Sequence, residues 1–173
     1  LADGTLDEQD FLDRADILCS IGQTVLISNY QEYYRLVDYF AGFTKKRIGL
    51  IMGIPSLQEI FDEKYYEHLT GGILEAMGRL FSTSLVIYAY PFRGETSVNT
   101  VSDIVVNDLF KNIFDYLKQA RRVRDIEDFD PDILSIWSRE VLRKIRTGET
   151  GWEDSLPTYV DKIIKEKGLF GYP

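Results

Sequence analysis

One cysteine, one histidine, two tryptophans and two methionines are all that this chain of 173 residues holds of the scarce, chemically versatile side chains. Cys19 has no internal disulfide partner and suits a reducing cytoplasm. His68 cannot furnish a two-histidine metal site, and without a cysteine cluster a zinc centre would need ligands from a partner chain. Long apolar runs are missing too. Nothing approaches the roughly 20 residues of a membrane-spanning helix, and no leader pattern opens the sequence, so a cytoplasmic location away from membranes is expected. Basic charge is short: 20 Lys and Arg against 28 Asp and Glu leave a net charge of −8. That balance argues against a nucleic-acid partner, whose phosphates call for Lys and Arg. No glycine-rich phosphate fingerprint or Gly-x-Ser-x-Gly elbow is present.

What the chain does hold is apolar and aromatic bulk. Apolar residues make up 45% and aromatics 13%, mostly Tyr and Phe, the side chains of large cores and interfaces. The length suits one domain with a sizeable core. The chain opens on Leu1, and residues 1–9 are polar and acidic, as an interdomain linker would be. The expectation is the C-terminal portion of a longer protein, with a trimmed small protein as the alternative.

Helix and strand patterns alternate along the chain. Phe11, Leu12, Ala15, Ile17, Leu18 and Ile21 recur at helical spacing, and Gly22 marks a stop. Two apolar runs, residues 24–28 and 48–52, then each lead into a helix pattern, as strands buried on both faces of a parallel sheet do. Asn29 with Glu32, and Ser56 with Glu59, stand in capping-box relation at these two junctions. The first of these helices carries Tyr33, Leu36, Val37 and Phe40 on its apolar side, and the second Leu57, Ile60 and Phe61. A short helix over 73–81 precedes a third strand over 84–90, closed by Pro91, which cannot donate to a ladder. Residues 92–101 read as a polar loop. The remainder reads as helix: 103–119, then shorter pieces around 132–137, 138–146 and 157–167. Asp130-Pro131 is a start, and Gly148 and Gly168 are stops. The fold expected is α/β: a Rossmann-like three-layer unit with a small parallel sheet of at least three strands and an added helical C-terminal region. Its parts are a linker over 1–10, a sheet core over 11–102 and a helical region over 103–173 packed on the same domain.

Ligands of open α/β sheets sit beyond the carboxyl ends of the strands. Ser28 and Asn29 at one junction, and Gly53 and Ser56 at the other, place small polar groups and free N–H groups there. Such a place suits a phosphate or carboxylate, with Arg79 and Arg93, flanking the third strand, as helpers. The alternative is that Asn29 and Ser56 are only caps, worth about 1 kcal/mol each, and that the two arginines are surface ion-pair partners. His68, beside Thr70-Gly71-Gly72, reads as a lone acid–base group or as a loop residue. Glu59, Asp62, Glu63 and Glu67 form an acidic stretch beside Tyr65 and Tyr66. It serves acid–base work or is a solvated face with Lys64 interspersed. Arg121, Arg122 and Arg124 read as charge pairing with Asp125, Glu127 and Asp128 at a helix end. Trp137, Trp152 and the tail Leu169-Phe170-Gly171-Tyr172 offer large groups for docking on the sheet or on another domain.

Two resemblances are carried by these residues. The strand end Ser28-Asn29, a lysine-containing stretch and the glycine-ended run after it resemble the latter half of a haloacid-dehalogenase phosphatase, but Ile54 stands where that reaction needs an aspartate. More extensively, the segments TVLISNYQEYYRLVDYF, IGLIMGIPSLQEIFDEKYYEHLTGGILEAMGRLF, the YAYPF strand, VLRKIRTGETGWEDSLP and IIKEKGLFG resemble the C-terminal portion of a bacterial protein family. Its members are commonly labelled nicotinate-nucleotide adenylyltransferase, and some TonB-dependent receptor. The first label implies a Rossmann-like enzyme moving AMP from ATP to a mononucleotide, gripped by a His-x-Gly-His turn that a chain with one histidine does not contain. The second implies an outer-membrane barrel, which an alternating β-α pattern opposes. The expectation is thus an α/β domain binding a nucleotide or phosphorylated small molecule at the strand ends. The alternative is a non-catalytic domain that docks on the N-terminal portion of the same protein or on a second copy. No cofactor is indicated, and nucleotidyl transfer rests on the family label.

Overall fold

The computed structural model describes residues 7–82, 84–94 and 97–173, which fall into two compact units: residues 29–134, and residues 7–28 with 135–173. The division lies at 28/29 and 134/135, not at residue 102, because the chain after 102 still contributes to the sheet. The first six residues of the expected linker lie outside the described residues, and Asp7 already caps a helix.

In the 29–134 unit the elements run α2 (Tyr33–Phe43), β1 (Ile48–Gly53), α3 (Ile54–Glu59), α4 (Gly72–Leu80), β2 (Leu85–Tyr90), the two-residue strands β3 (Phe92–Arg93) and β4 (Val98–Asn99), α5 (Asp108–Gln119) and β5 (Val123–Asp125). The sheet is parallel, in the order β1-β2-β5, and helices flank it. β1 and β2 pair from Ile48↔Leu85 to Gly53↔Tyr90. The central strand is an apolar run because it has neighbours on both edges, and Leu85, Ile87 and Ala89 are fully buried. α4 packs Ile73, Ala76, Met77 and Leu80 into the same core, and α5 adds Phe110, Phe114 and Leu117. Both sets follow the helical period. Phe61 and Phe114 meet edge to face at 5.1 Å.

Several expectations need correction. Residues 24–28 are not a strand: they have no regular structure, and Leu26 and Ile27 are more than half exposed. A β-prone run becomes a strand only where a neighbouring strand can take up its N–H and C=O groups. The third parallel strand is instead β5, read from sequence as a charged helix end. Val123 is its buried anchor, Ile87 N–H donates to Arg122 C=O and Ile126 N–H to Ala89 C=O. The Arg122 side chain donates to the Leu85 and Phe81 carbonyls at 2.7 and 3.0 Å, tying the start of β2 to β5. Neither capping box forms: the N-cap positions are Glu32 and Gly53, without side-chain cap bonds. The polar loop over 92–101 contains the β3–β4 pair, with residues 95–96 outside the described residues. The helix expected from 103 begins at Asp108, after a 3-10 turn capped by Thr100 and Asp103.

The other unit holds α1 (Glu8–Ser20), α6 (Ser138–Thr147) and α7 (Val160–Lys167). Its core is Ile145, Trp152, Val160, Ile164 and Leu169, with Trp152 against Tyr172 at 5.9 Å. Trp152 is thus a core residue, whereas Trp137 is 55% exposed. Gly148 and Gly168 end their helices at φ +67° and +61°, the left-handed conformation expected of such stops. α1 forms where its periodicity indicates, yet Phe11, Leu12, Leu18 and Ile21 stay largely exposed, while Asp13 is buried. The Asp13 carboxylate accepts from Gln9 Nε2 and from Phe170 N–H, which holds Phe170 at φ +58°. Among the described residues no helix is long and apolar enough to cross a membrane.

Leu57, wholly buried, is expected to cost about 2–5 kcal/mol on change to Ala. Ser28→Ala, on an exposed irregular segment, should cost less than about 0.5 kcal/mol; urea denaturation checks both. The Lys165 ammonium, 2.8 Å from Glu153, holds that carboxyl down at about 2. Stability from this exposed pair is present above the ordinary carboxylate range and is lost as the pH falls towards 2. Carboxyl NMR titration of Lys165→Met should return Glu153 towards 4.5.

Candidate functional site

The strand-end pocket does not assemble as expected. Ser28 and Asn29 lie on an exposed irregular segment with no strand before them. Gly53 ends β1 at φ −73°, and a Cβ there would meet Pro55 only at an ordinary 3.7 Å, so nothing demands glycine. Ser56 sits inside α3, a helix of 6 residues with few aligned dipoles to offer an anion. Arg79 bridges to Glu75 at 2.6 Å and lies over the Tyr34 ring. Arg93, on β3, donates to the Pro131 carbonyl at 3.3 Å. The strand order β1-β2-β5 never reverses, so the sheet has no topological switch point among the described residues.

Polar chemistry gathers elsewhere in the same unit, where the start of α2 meets the segment after α3. Tyr34 is 2% exposed, and its hydroxyl accepts from Arg35 Nε at 3.3 Å and lies 3.2 Å from His68 Nε2. With the imidazole proton on Nδ1, Nε2 accepts a hydrogen bond from the Tyr34 hydroxyl. Glu32 holds Arg35 at 3.2 Å with one oxygen and stands 3.6 Å from His68 with the other. The Arg35 and Arg79 guanidiniums lie 5.9 and 5.6 Å from the Tyr34 ring centre, a cation–π arrangement. Tyr66 packs against Tyr34 at 6.5 Å and donates to the Ile60 carbonyl at 3.0 Å. Burial, with the Tyr34 and Glu32 charges adding, pushes the Tyr66 phenol up to about 12. It therefore serves as a fixed donor, not a base. Asp62 caps the 3-10 turn Glu63–Tyr66 and binds the Lys64 ammonium at 2.6 Å, which lowers the acid and raises the base.

These groups border a cleft of about 460 Å³, whose walls include Gln31, Tyr33, Glu59, Lys64 and Tyr65 besides Glu32, Tyr66 and His68. That volume suits a small molecule. A larger cleft of about 560 Å³ lies between α3 and the start of α5 and shares Glu59. Its rim carries the carboxylates of Glu59, Asp62 and Glu63 and neither a cation nor a histidine, so it is chemically poorer despite its size. Among the described residues no group of three His, Cys, Asp or Glu side chains is placed to hold a metal ion. Compared with known protein families, curated proteins and solved structures, the chain matches none.

Sequence reasoning singled out His68, Tyr65, Tyr66 and the acidic stretch one by one and missed their partners on α2. The signal available was the pair of tyrosine doublets, Glu32-Tyr33-Tyr34-Arg35 and Lys64-Tyr65-Tyr66-Glu67-His68, each flanked by opposite charges. In a spectrophotometric titration, one tyrosine should ionise last, near 12, and Tyr66→Phe should abolish that step. The folded protein holds this proton more tightly than the unfolded chain. Stability present below the ordinary phenol value of 10.0 is therefore lost as the pH rises towards 12, and Tyr66→Phe should flatten that loss in denaturation at alkaline pH.

Proposed function

We propose that residues 29–134 form an α/β module that binds a small molecule in the tyrosine cleft, in place of the strand-end pocket expected from sequence. The observation that carries this reading is a division of labour among the walls. Glu32 is engaged by Arg35, His68 by Tyr34 and Lys64 by Asp62. Gln31 and Glu59 have no side-chain partner among the described residues, and Tyr33 and Tyr65 are 36% and 43% exposed, Tyr65 with the Lys64 ammonium over its ring. Preset walls with unused hydrogen-bonding groups and open aromatic faces are what a ligand with a flat or rounded apolar body requires. A nucleoside or nucleotide, the ligand class implied by the adenylyltransferase resemblance, is one such body. Its base stacks on tyrosine, whereas its phosphates find here only Lys64, already held by Asp62. No transfer reaction is assigned to these residues. The reading is of a binding protein of the bacterial cytoplasm.

A second reading, docking on an N-terminal portion of the same protein or on a second copy, draws on a different observation. Phe43 is 75% exposed at the end of α2, beside Tyr39 at 4.9 Å and with the Tyr30 ring tilted against Tyr39 at 5.9 Å. Such an aromatic surface fits a protein partner.

A thermal-shift and calorimetry panel of ATP, NAD, nicotinate mononucleotide, adenosine and inorganic phosphate separates the readings. Saturable binding should stabilise the protein by about 2.7 kcal/mol at 100 Kd. Tyr65→Ala or Gln31→Ala should remove the effect, and Ser56→Ala should leave it intact. Protection lost with Ser56→Ala but kept with Tyr65→Ala would restore the strand-end site. A silent panel with a concentration-dependent dimer by light scattering would favour docking.

A further inference from the structure

Within the tyrosine cleft the charges do not cancel. Glu32 is neutralised by Arg35 and Lys64 by Asp62, both through direct ion pairs. Glu59 remains, a carboxylate with no opposite charge on it among the described residues, on the wall of a cleft in a chain of net charge −8. An anion entering here would approach two carboxylates and meet only a lysine already paired with Asp62 and an imidazole already bonded to Tyr34. A cation would complete the balance.

The aromatic faces favour the same sign. One wall already holds a cation of the protein itself, Lys64 over Tyr65 with its ammonium 4.8 Å from the ring centre, and the neighbouring buried Tyr34 ring carries Arg35 and Arg79. The negative face of a phenol ring attracts a positive nitrogen, most strongly where water is partly excluded. A nitrogen clothed in carbon costs less to desolvate than a bare ammonium, which is strongly hydrated. Lys64 is held by an exposed pair with Asp62, their side chains 61% and 40% exposed, and such pairs are weak. It acts as a displaceable occupant of the Tyr65 face.

We propose that the cleft recognises an organic cation, an alkylated ammonium or similar nitrogen, seated among Tyr33, Tyr65 and Tyr66 with Glu59 as its counter-charge. The proposal rests on the reading of this cleft as a ligand site and names the class of ligand.

The test uses the full chain and two probes of equal shape: choline, and its neutral isostere in which carbon replaces the ammonium nitrogen. Calorimetry, with NMR shifts of Tyr33 and Tyr65 as locator, should show choline binding at least about tenfold tighter than the isostere, as the strength of cation–π contacts implies. Glu59→Gln should weaken choline several-fold and leave the isostere unchanged. Lys64→Met, which removes the resident cation, should tighten choline several-fold. Equal affinity for the two probes, or Lys64→Met weakening choline, would overturn the cation inference and leave the cleft standing as a site. If neither probe nor any ligand of the nucleotide panel moves the Tyr33 and Tyr65 resonances, both the cation inference and the cleft reading fall.

Discussion

The parallel pairing of β1 with β2, in register from Ile48↔Leu85 to Gly53↔Tyr90, sets what the rest of the 29–134 unit can do. Two parallel strands cannot be joined by a tight turn, so the chain between them must travel back along the sheet. Here that return is made by α3, the 3-10 turn Glu63–Tyr66 and α4. It buries Leu57, Ile60, Phe61 and Tyr66 on its inner side and leaves Glu59, Asp62, Lys64, Tyr65 and His68 facing outward. Most of the cleft is therefore carried by a single crossover, and the start of α2 completes it with Gln31, Glu32 and Tyr33.

Tyr34 is the point where these two pieces are joined. A buried phenol is costly unless its hydroxyl is satisfied, and here Arg35 and His68 both reach it. Its ring also seats two guanidiniums and lies tilted against Tyr66. Part of the cleft wall is thus tied into a network of engaged polar groups. The rest leaves Gln31, Glu59 and Tyr33 unengaged among the described residues, and the Tyr65 ring carries only the exposed Lys64 ammonium. Ligand sites commonly combine a preorganised wall with a few unused polar groups, and the electrostatics of this one lean towards positive charge.

How far the pattern of residues can be read depends on length and on partners. β1, β2, α4, α6 and α7 are legible because each carries enough residues for its period to show. β5 is illegible: three residues, Val123-Arg124-Asp125, cannot display an alternation, and its arginines resemble a charged helix end. Residues 24–28 carry the same apolar signal as β1 and remain irregular, since no strand pairs with them. The capping boxes fail for a related reason. Asn29 and Ser56 have the right spacing to an acid, but the helices start at Tyr33 and Ile54, which moves both residues off the cap. In the candidate site, His68 and the tyrosines were visible singly. Their grouping was not, because Tyr34 and His68 come from different elements.

By itself, then, the sequence determined the class of fold, the two long parallel strands, the helix stops at Gly148 and Gly168, and the core role of Leu57, Ile60 and Phe61. Each follows from local periodicity or from the backbone freedom of glycine, which need no distant partner. Tertiary structure alone decided which apolar run joined the sheet, that Asp13 of α1 would be buried in place of its apolar neighbours, and where polar chemistry would collect. Those outcomes depend on hydrogen-bond partners and charges far apart in the chain: Val123 beside Ile87, Asp13 beneath Phe170, His68 against Tyr34. A one-dimensional pattern carries no record of such meetings.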